Sequence, residues 1–134
     1  MNTTKSRNCV YNCNYHLVWI PKYRKEILTG DVRKFTIKTL KEIAKNKGFE
    51  IITMEVCADH IHLFVSFRPA LSISKVIKLF KGISARKIAK KFPNIKPKGD
   101  SLWCPSYYVG TAGNVSSENI KDYIEYAQDI TARG

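Results

Sequence analysis

Two histidines, His60 and His62, stand two apart in ADHIHLFVSF, with one carboxylate, Asp59, directly before them. Alternate side chains of a strand share a face, so both imidazoles would sit close enough to bind one divalent ion. Asp59 could add a carboxylate ligand or orient one ring. An ion held this way is suited to polarising a phosphodiester. The pair alone is a weak signal, because an ion wants a third protein ligand or a substrate oxygen. The bland alternative is two surface histidines on a half-exposed strand, or one satisfied inside the fold.

Charge supplies a context for that chemistry. The 134 residues carry 23 Lys or Arg against 11 Asp or Glu, a formal net charge of +12. Such an imbalance points to a polyanionic partner, nucleic acid before an anionic membrane surface. From Arg68 to Lys98 there are ten basic residues and no acidic one, which favours a nucleic-acid surface over a merely solvated face. Cys9, Cys13, Cys57 and Cys104 read as free thiols rather than as two disulfides or a zinc site, since nothing else suggests secretion. No apolar run approaches the roughly 20 residues that cross a bilayer. The start, MNTTKSRNCVYNCNYHLVW, lacks the apolar core of a signal peptide, so a cytoplasmic protein with no membrane partner is expected.

The elements that must position these residues follow from periodicity and punctuation. Residues 11–20 read as a first strand stopped by Pro21. Asp31 is the expected cap of a helix with Val32, Phe35, Leu40, Ile43 and Ala44 as its apolar stripe, ended by Gly48. Residues 49–57 and 60–67 read as two strands of a hairpin. Ser72 is expected to cap a helix in which Ile73, Val76, Ile77, Phe80 and Ile83 recur at helical spacing. Lys75, Lys78, Lys81 and Arg86 spread over the rest of its surface. A loop bounded by Pro93 and Pro97 leads to a short fourth strand around Tyr107–Val109. After the turn GTAGN, Ser116 or Ser117 caps a last helix running to about Asp129.

The order β-α-β-β-α-β plus one helix fits an α+β, ferredoxin-like split β-α-β fold, with an antiparallel sheet and two helices on one face. Ile61, Leu63, Val65 and Phe67 should face those helices. His60, His62 and Phe64 should then face the side that the basic fold leaves uncovered. The chain is expected to be a single domain over 1–134, with a short flexible N-terminus at 1–9.

The last helix offers a possible nucleophile. In SSENIKDYIEYAQDI, Tyr123 shares a face with Ile120 and Ala127, the usual placing of a packing residue. Its chemistry would be attack on phosphorus, giving a covalent phosphotyrosine. If this surplus helix covers the open face of the sheet, Tyr123 could meet the two histidines.

The segments YNCNYHLVWIPKYRK, EVCADHIHLFVSF and WCPSYYVGTAGNVSSENIKDYIE resemble, in order, the short single-tyrosine (TnpA-type) transposases of insertion sequences that move as single-stranded DNA. These enzymes belong to the HUH nuclease superfamily, and the resemblance covers roughly residues 10–128. It implies that His60 and His62 are the paired metal ligands and that Tyr123 is the single nucleophile. In the family a glutamine four residues after the tyrosine completes the metal site. Here that position is Ala127, so an irregular helix turn would have to bring in Gln128, or Asp59 or water would replace it.

The resemblance further implies Mg²⁺ or Mn²⁺ as the ion and single-stranded DNA with hairpins as the partner. It implies a homodimer whose active sites are shared between subunits. Cleavage leaves a 5′-phosphotyrosine and a free 3′-OH, and an exchanged 3′-OH rejoins the DNA. Lys75, Lys78, Lys81, Arg86 and Lys87 would hold phosphates of the hairpin stem. Trp103, Tyr107 and Tyr108 are candidates for stacking on unpaired bases, with core packing as their alternative. Two rival functions remain open: a ferredoxin-like nucleic-acid-binding module, and a domesticated or hydrolytic nuclease that processes hairpin repeats.

Overall fold

A computed structural model describes residues 13–113 and 115–133, with side chains through 129. The expected flexible start at 1–9, and Cys9 with it, lie outside the described residues. Four strands, β1 (Cys13–Trp19), β2 (Glu50–Cys57), β3 (His60–Phe67) and β4 (Tyr108–Thr111), form one sheet in the order β2-β3-β1-β4. Every neighbouring pair is antiparallel. Helices α1 (Gly30–Lys47) and α2 (Ile73–Lys91) make the two split crossovers, and α3 (Ser117–Arg133) follows β4. This is the ferredoxin-like α+β architecture.

Strand alternation divides the apolar residues between two layers. Leu17, Trp19, Ile61, Leu63 and Val65 are fully buried and pack with Leu40 of α1 and with Val76, Phe80 and Ile88 of α2. Burying each large side chain of this kind contributes about 1.5–3 kcal/mol, so this layer dominates stability. A smaller cluster of Val18, Ile20, Cys104, Tyr123, Ile124 and Ala127 lies under α3. Val18 and Leu17 are neighbours on β1, so α3 covers the sheet face opposite α1 and α2.

Local signals predicted the elements well, with corrections at their edges. Ser72 caps α2 by accepting from the Lys75 N–H, and Ser116 does the same for α3 through Asn119. Gly48 ends α1 at φ +78°, the left-handed conformation that a Cβ disfavours. Asp31 does not cap α1. Thr29 holds that position and Asp31 sits in the first turn, where its charge complements the helix dipole. The fourth strand is displaced by a residue or two, to Tyr108–Thr111, because its limits are set by pairing with β1. The last helix extends beyond Asp129 to Arg133. Among the described residues no helix is long and apolar enough to cross a membrane. Cys13, Cys57 and Cys104 are free thiols.

Candidate active site

His60 and His62 point from β3 to the face that α3 covers. They line a cleft of about 440 Å³ with Arg24, Glu55, Ser117, Ile120, Lys121 and Ile124. His60 Nδ1 is 2.9 Å from Asp59 Oδ1. An ionised carboxylate can only accept, so Nδ1 carries the proton and Nε2 keeps a lone pair for a ligand or ion. Arg24 Nε donates to the other Asp59 oxygen at 2.8 Å. Burial alone would push the Asp59 carboxyl up, and the bonds from His60 and Arg24 more than offset it, leaving it below the usual range. Asp59 therefore orients His60 as an anion.

His62 has its own supports. Its Nδ1 lies 3.5 Å from Glu55 Oε1, on the residue paired with it across β2 and β3. Its Nε2 is 2.8 Å from Nδ1 of His16 on β1, and the His16 ring stacks on Phe64 at 4.2 Å. Burial lowers the pKa of both rings, and for His16 the neighbouring His62 lowers it further. Both are held neutral, the form in which imidazole binds metal.

Tyr123 is on the covering helix yet is not among the residues lining the histidine cleft. It is 9% exposed, shares a 2.9 Å hydrogen bond with Ser106 Oγ and packs at 6.0 Å from the Tyr108 ring. Burial raises its pKa despite the Ser106 bond, which works the other way. In this pose the phenol stays protonated. Gln128 is likewise engaged, its Oε1 accepting from Arg24 Nη1 at 2.9 Å.

The basic and aromatic candidates separate. Lys75, Lys78, Arg86 and Lys87 are exposed on α2, and Lys87 lies 4.0 Å from Glu42 of α1. Lys81 is different: its ammonium donates to the carbonyls of Cys104 and Ser106, and burial pulls its pKa down to about 8. Tyr107 is exposed, with Lys81 Nζ 5.8 Å from its ring centre. Trp103 is corrected to a core residue. It is 4% exposed, donates from Nε1 to Ser84 Oγ and packs edge-on against Trp19, so it presents no ring to a base. Tyr108 is half-buried beneath α3. Lys22, Lys81, Arg86 and Lys96 line a second cleft of about 680 Å³ beside Leu102 and Trp103.

Comparison with known proteins decides the family. Residues 9–127 match the family profile described as "Transposase IS200 like". The chain belongs to this family. It is 41% identical over 127 residues to the ISDra2 transposase TnpA of Deinococcus radiodurans, covering 93% of this chain and 91% of that one. It is 35% identical over 118 residues to the transposase of insertion sequence element IS200 from Salmonella typhimurium, with coverages of 87% and 77%. A crystal structure from Deinococcus radiodurans R1, described as a candidate transposase, superposes with TM-score 0.82 at 36% identity, covering 87% and 92%. A REP-associated tyrosine transposase bound to a REP hairpin shares the fold at TM-score 0.58 and 13% identity, covering 87% and 65%.

Membership in the IS200-like family makes this protein a DNA transposase of the single-tyrosine HUH type, with metal-dependent chemistry. The donor set fits such an ion directly at His60, whose Nε2 is free of the Asp59 contact, and at His62 once an ion replaces the His16 contact at its Nε2. Among the described residues no group of three His, Cys, Asp or Glu is disposed to hold an ion. Sequence reasoning missed His16, Arg24, Glu55 and Ser106. Alternation along β1 puts His16 on the same face as Val18, so its side was legible. Its partner was not.

Proposed function

We propose that this transposase cleaves and rejoins single-stranded DNA next to hairpins at the ends of its element, acting as one HUH domain. His60 and His62 serve as ligands of Mg²⁺ or Mn²⁺, and Tyr123 is the nucleophile. The observation that carries this reading is the Asp59–His60 pair, which leaves His60 Nε2 available at a cleft that His62 also lines. A bound divalent ion there would supply polarisation of the scissile phosphate and charge stabilisation at the leaving oxygen.

The chain's own residues account for the rest. Tyr123 Oη forms a bond to phosphorus as the P–O3′ bond breaks. The DNA 5′ end stays on the enzyme, and the 3′ oxygen leaves as a hydroxyl after taking up a proton. The phenol must give up its own proton, so it has to leave the buried contact with Ser106. A homodimer in which α3 delivers Tyr123 to the partner's histidines accounts for a nucleophile held outside its own cleft. Arg24 occupies the Gln128 oxygen in this pose, so a phosphate oxygen or water is the better third ligand. Exposed Lys75, Lys78, Arg86 and Lys87 would hold phosphates and give salt-sensitive, largely sequence-independent affinity. Hairpin DNA as the partner is supported by the REP hairpin bound to the structural relative of the same fold.

The test is a denaturing gel of the protein with labelled hairpin DNA from the flanks of its own gene, with Mn²⁺ or EDTA. A slower covalent band that needs the ion and disappears in Tyr123→Phe is the expected result. Cleavage that survives Tyr123→Phe would assign a water-using nuclease instead, and hairpin binding with no cleavage a binding module.

A further inference from the structure

Arg24 joins three parts of the chain that are remote in sequence. It sits in the 3₁₀ turn Lys22–Arg24 that follows β1. Its Nε donates to Asp59 in the β2–β3 hairpin at 2.8 Å, and its Nη1 donates to Gln128 on α3 at 2.9 Å. Asp59 in turn holds His60 Nδ1 at 2.9 Å. A continuous run of hydrogen bonds thus leads from the nucleophile helix to a metal-site histidine.

The backbone of the turn is arranged to make this reach. Tyr23 and Arg24 both adopt positive φ, +63° and +52°, a conformation that costs side chains with a Cβ. Two consecutive strained residues persist only where the surroundings over-determine them. Here the turn is pinned on both sides. Lys22 N–H donates to Leu102 O, Arg24 N–H donates to Pro21 O, and Pro21 bridges to Trp103. The strain aims the guanidinium into the histidine cleft, which Arg24 helps to line. A planar fork directs separate nitrogens, Nε and Nη1, at two acceptors, whereas a lysine ammonium offers all its donors from a single point on a flexible stem.

We propose that Arg24 is a positioning residue that makes the orientation of His60 depend on the docking of α3. While Gln128 rests on Arg24, the guanidinium is held against Asp59 and His60 is fixed with Nε2 directed to the ion. When α3 moves away, Arg24 loses one anchor and His60 is less firmly held. The transposase would then present its best metal site only while a nucleophile helix is seated beside it. This inference rests on His60 being a metal ligand, as proposed above.

Two readouts test it without DNA cleavage. The first is Mn²⁺ affinity by electron paramagnetic resonance, for wild type, Arg24→Ala, Arg24→Lys, Gln128→Ala, the Arg24→Ala/Gln128→Ala double variant and His60→Ala. Loss of an outer partner of a metal-bound histidine typically weakens binding about 10–100-fold. Arg24 acts one bond further out, through Asp59, so Arg24→Ala should weaken binding by about 10-fold, the lower end of that range, and Arg24→Lys should fail to restore affinity. Gln128→Ala should weaken binding less, and the double variant should be no worse than Arg24→Ala. The second readout is the ¹⁵N spectrum of the His60 ring in metal-free protein, which should shift from the Nδ1–H tautomer toward a mixture in each Arg24 and Gln128 variant. Unchanged affinity and tautomer in Arg24→Lys and Gln128→Ala, with His60→Ala abolishing Mn²⁺ binding, would overturn the role of Arg24 alone. Mn²⁺ binding unaffected by His60→Ala would overturn the metal-site reading beneath it. Gln128 is exposed on α3, so its variant keeps the test decisive should Arg24→Ala fail to fold.

Discussion

The Tyr123 hydroxyl is 2.9 Å from Ser106 Oγ, on the side of α3 that packs over Val18, Ile20 and Cys104. The bond joins Tyr123, the proposed nucleophile, to the segment just before β4 and keeps the phenol in an apolar cluster. Under the proposed mechanism this is a resting place for the side chain, since attack on phosphorus requires a deprotonated oxygen in contact with DNA.

The Ser106–Tyr123 bond should be measurable as a coupling. Ser106→Ala leaves a buried phenol without its partner, and Tyr123→Phe leaves the serine. Each should cost about 1 kcal/mol in urea unfolding. The double variant should cost less than the sum, because the two changes remove one interaction. Strict additivity would show that the bond contributes nothing.

Stability should respond to alkaline pH in two windows. Lys81 has its pKa pulled down to about 8 by burial, so charging it inside the fold is unfavourable. The unfolded chain binds the extra proton up to about pH 10.4. Its contribution to stability therefore rises from about pH 8 to that value, and Lys81→Met should flatten the rise. Tyr123 works in the opposite sense. Burial raises its pKa, so its contribution is intact below about pH 10 and is lost above, where the unfolded phenol ionises. Tyr123→Phe should remove that loss. Denaturant titrations from pH 7 to 11 check both, and NMR of methylated lysines should find one with a midpoint near 8.

Gly110 should not tolerate a side chain. A Cβ there would clash with Val115 Cγ2 and lie 2.9 Å from the Tyr108 hydroxyl. Gly110 pairs with His16 across β1 and β4, so strain there reaches the histidine face. Gly110→Ala should cost about 1–3 kcal/mol, the usual size of overpacking. A thermal melt unchanged from wild type would mean that the Val115 side of the turn yields freely.

Metal removal should separate binding from chemistry. EDTA, or His60→Ala with His62→Ala, should abolish cleavage and leave hairpin binding by gel shift nearly intact. The proposed phosphate contacts come from other residues, on α2. Replacing Lys78 or Arg86 by Ala should weaken hairpin binding for all sequences alike. Each should also reduce the slope of log K against log salt by about 1. Loss of binding on metal removal would place the ion in the DNA contact itself.

The sequence alone determined whatever depends on local geometry. Period-two alternation put His60 and His62 on one face of β3 and Leu63 and Val65 on the other, because successive strand side chains must oppose. Helical spacing placed Tyr123 on the packed side of its helix beside Ala127, and Ser72 and Ser116 marked helix starts through bonds only three residues long. The quoted blocks also carried the family.

Tertiary structure decided which of these groups meet. Strand register set His62 opposite Glu55 and within reach of His16. Loop packing sent Trp103 into the core beside Ser84, a choice that composition left open. The docking of α3 turned Tyr123 toward Ser106 and brought Gln128 to Arg24 across 104 positions of chain. Spacing within an element fixes a side chain's direction relative to that element. The partner it finds depends on how separate elements pack, and no local pattern encodes that.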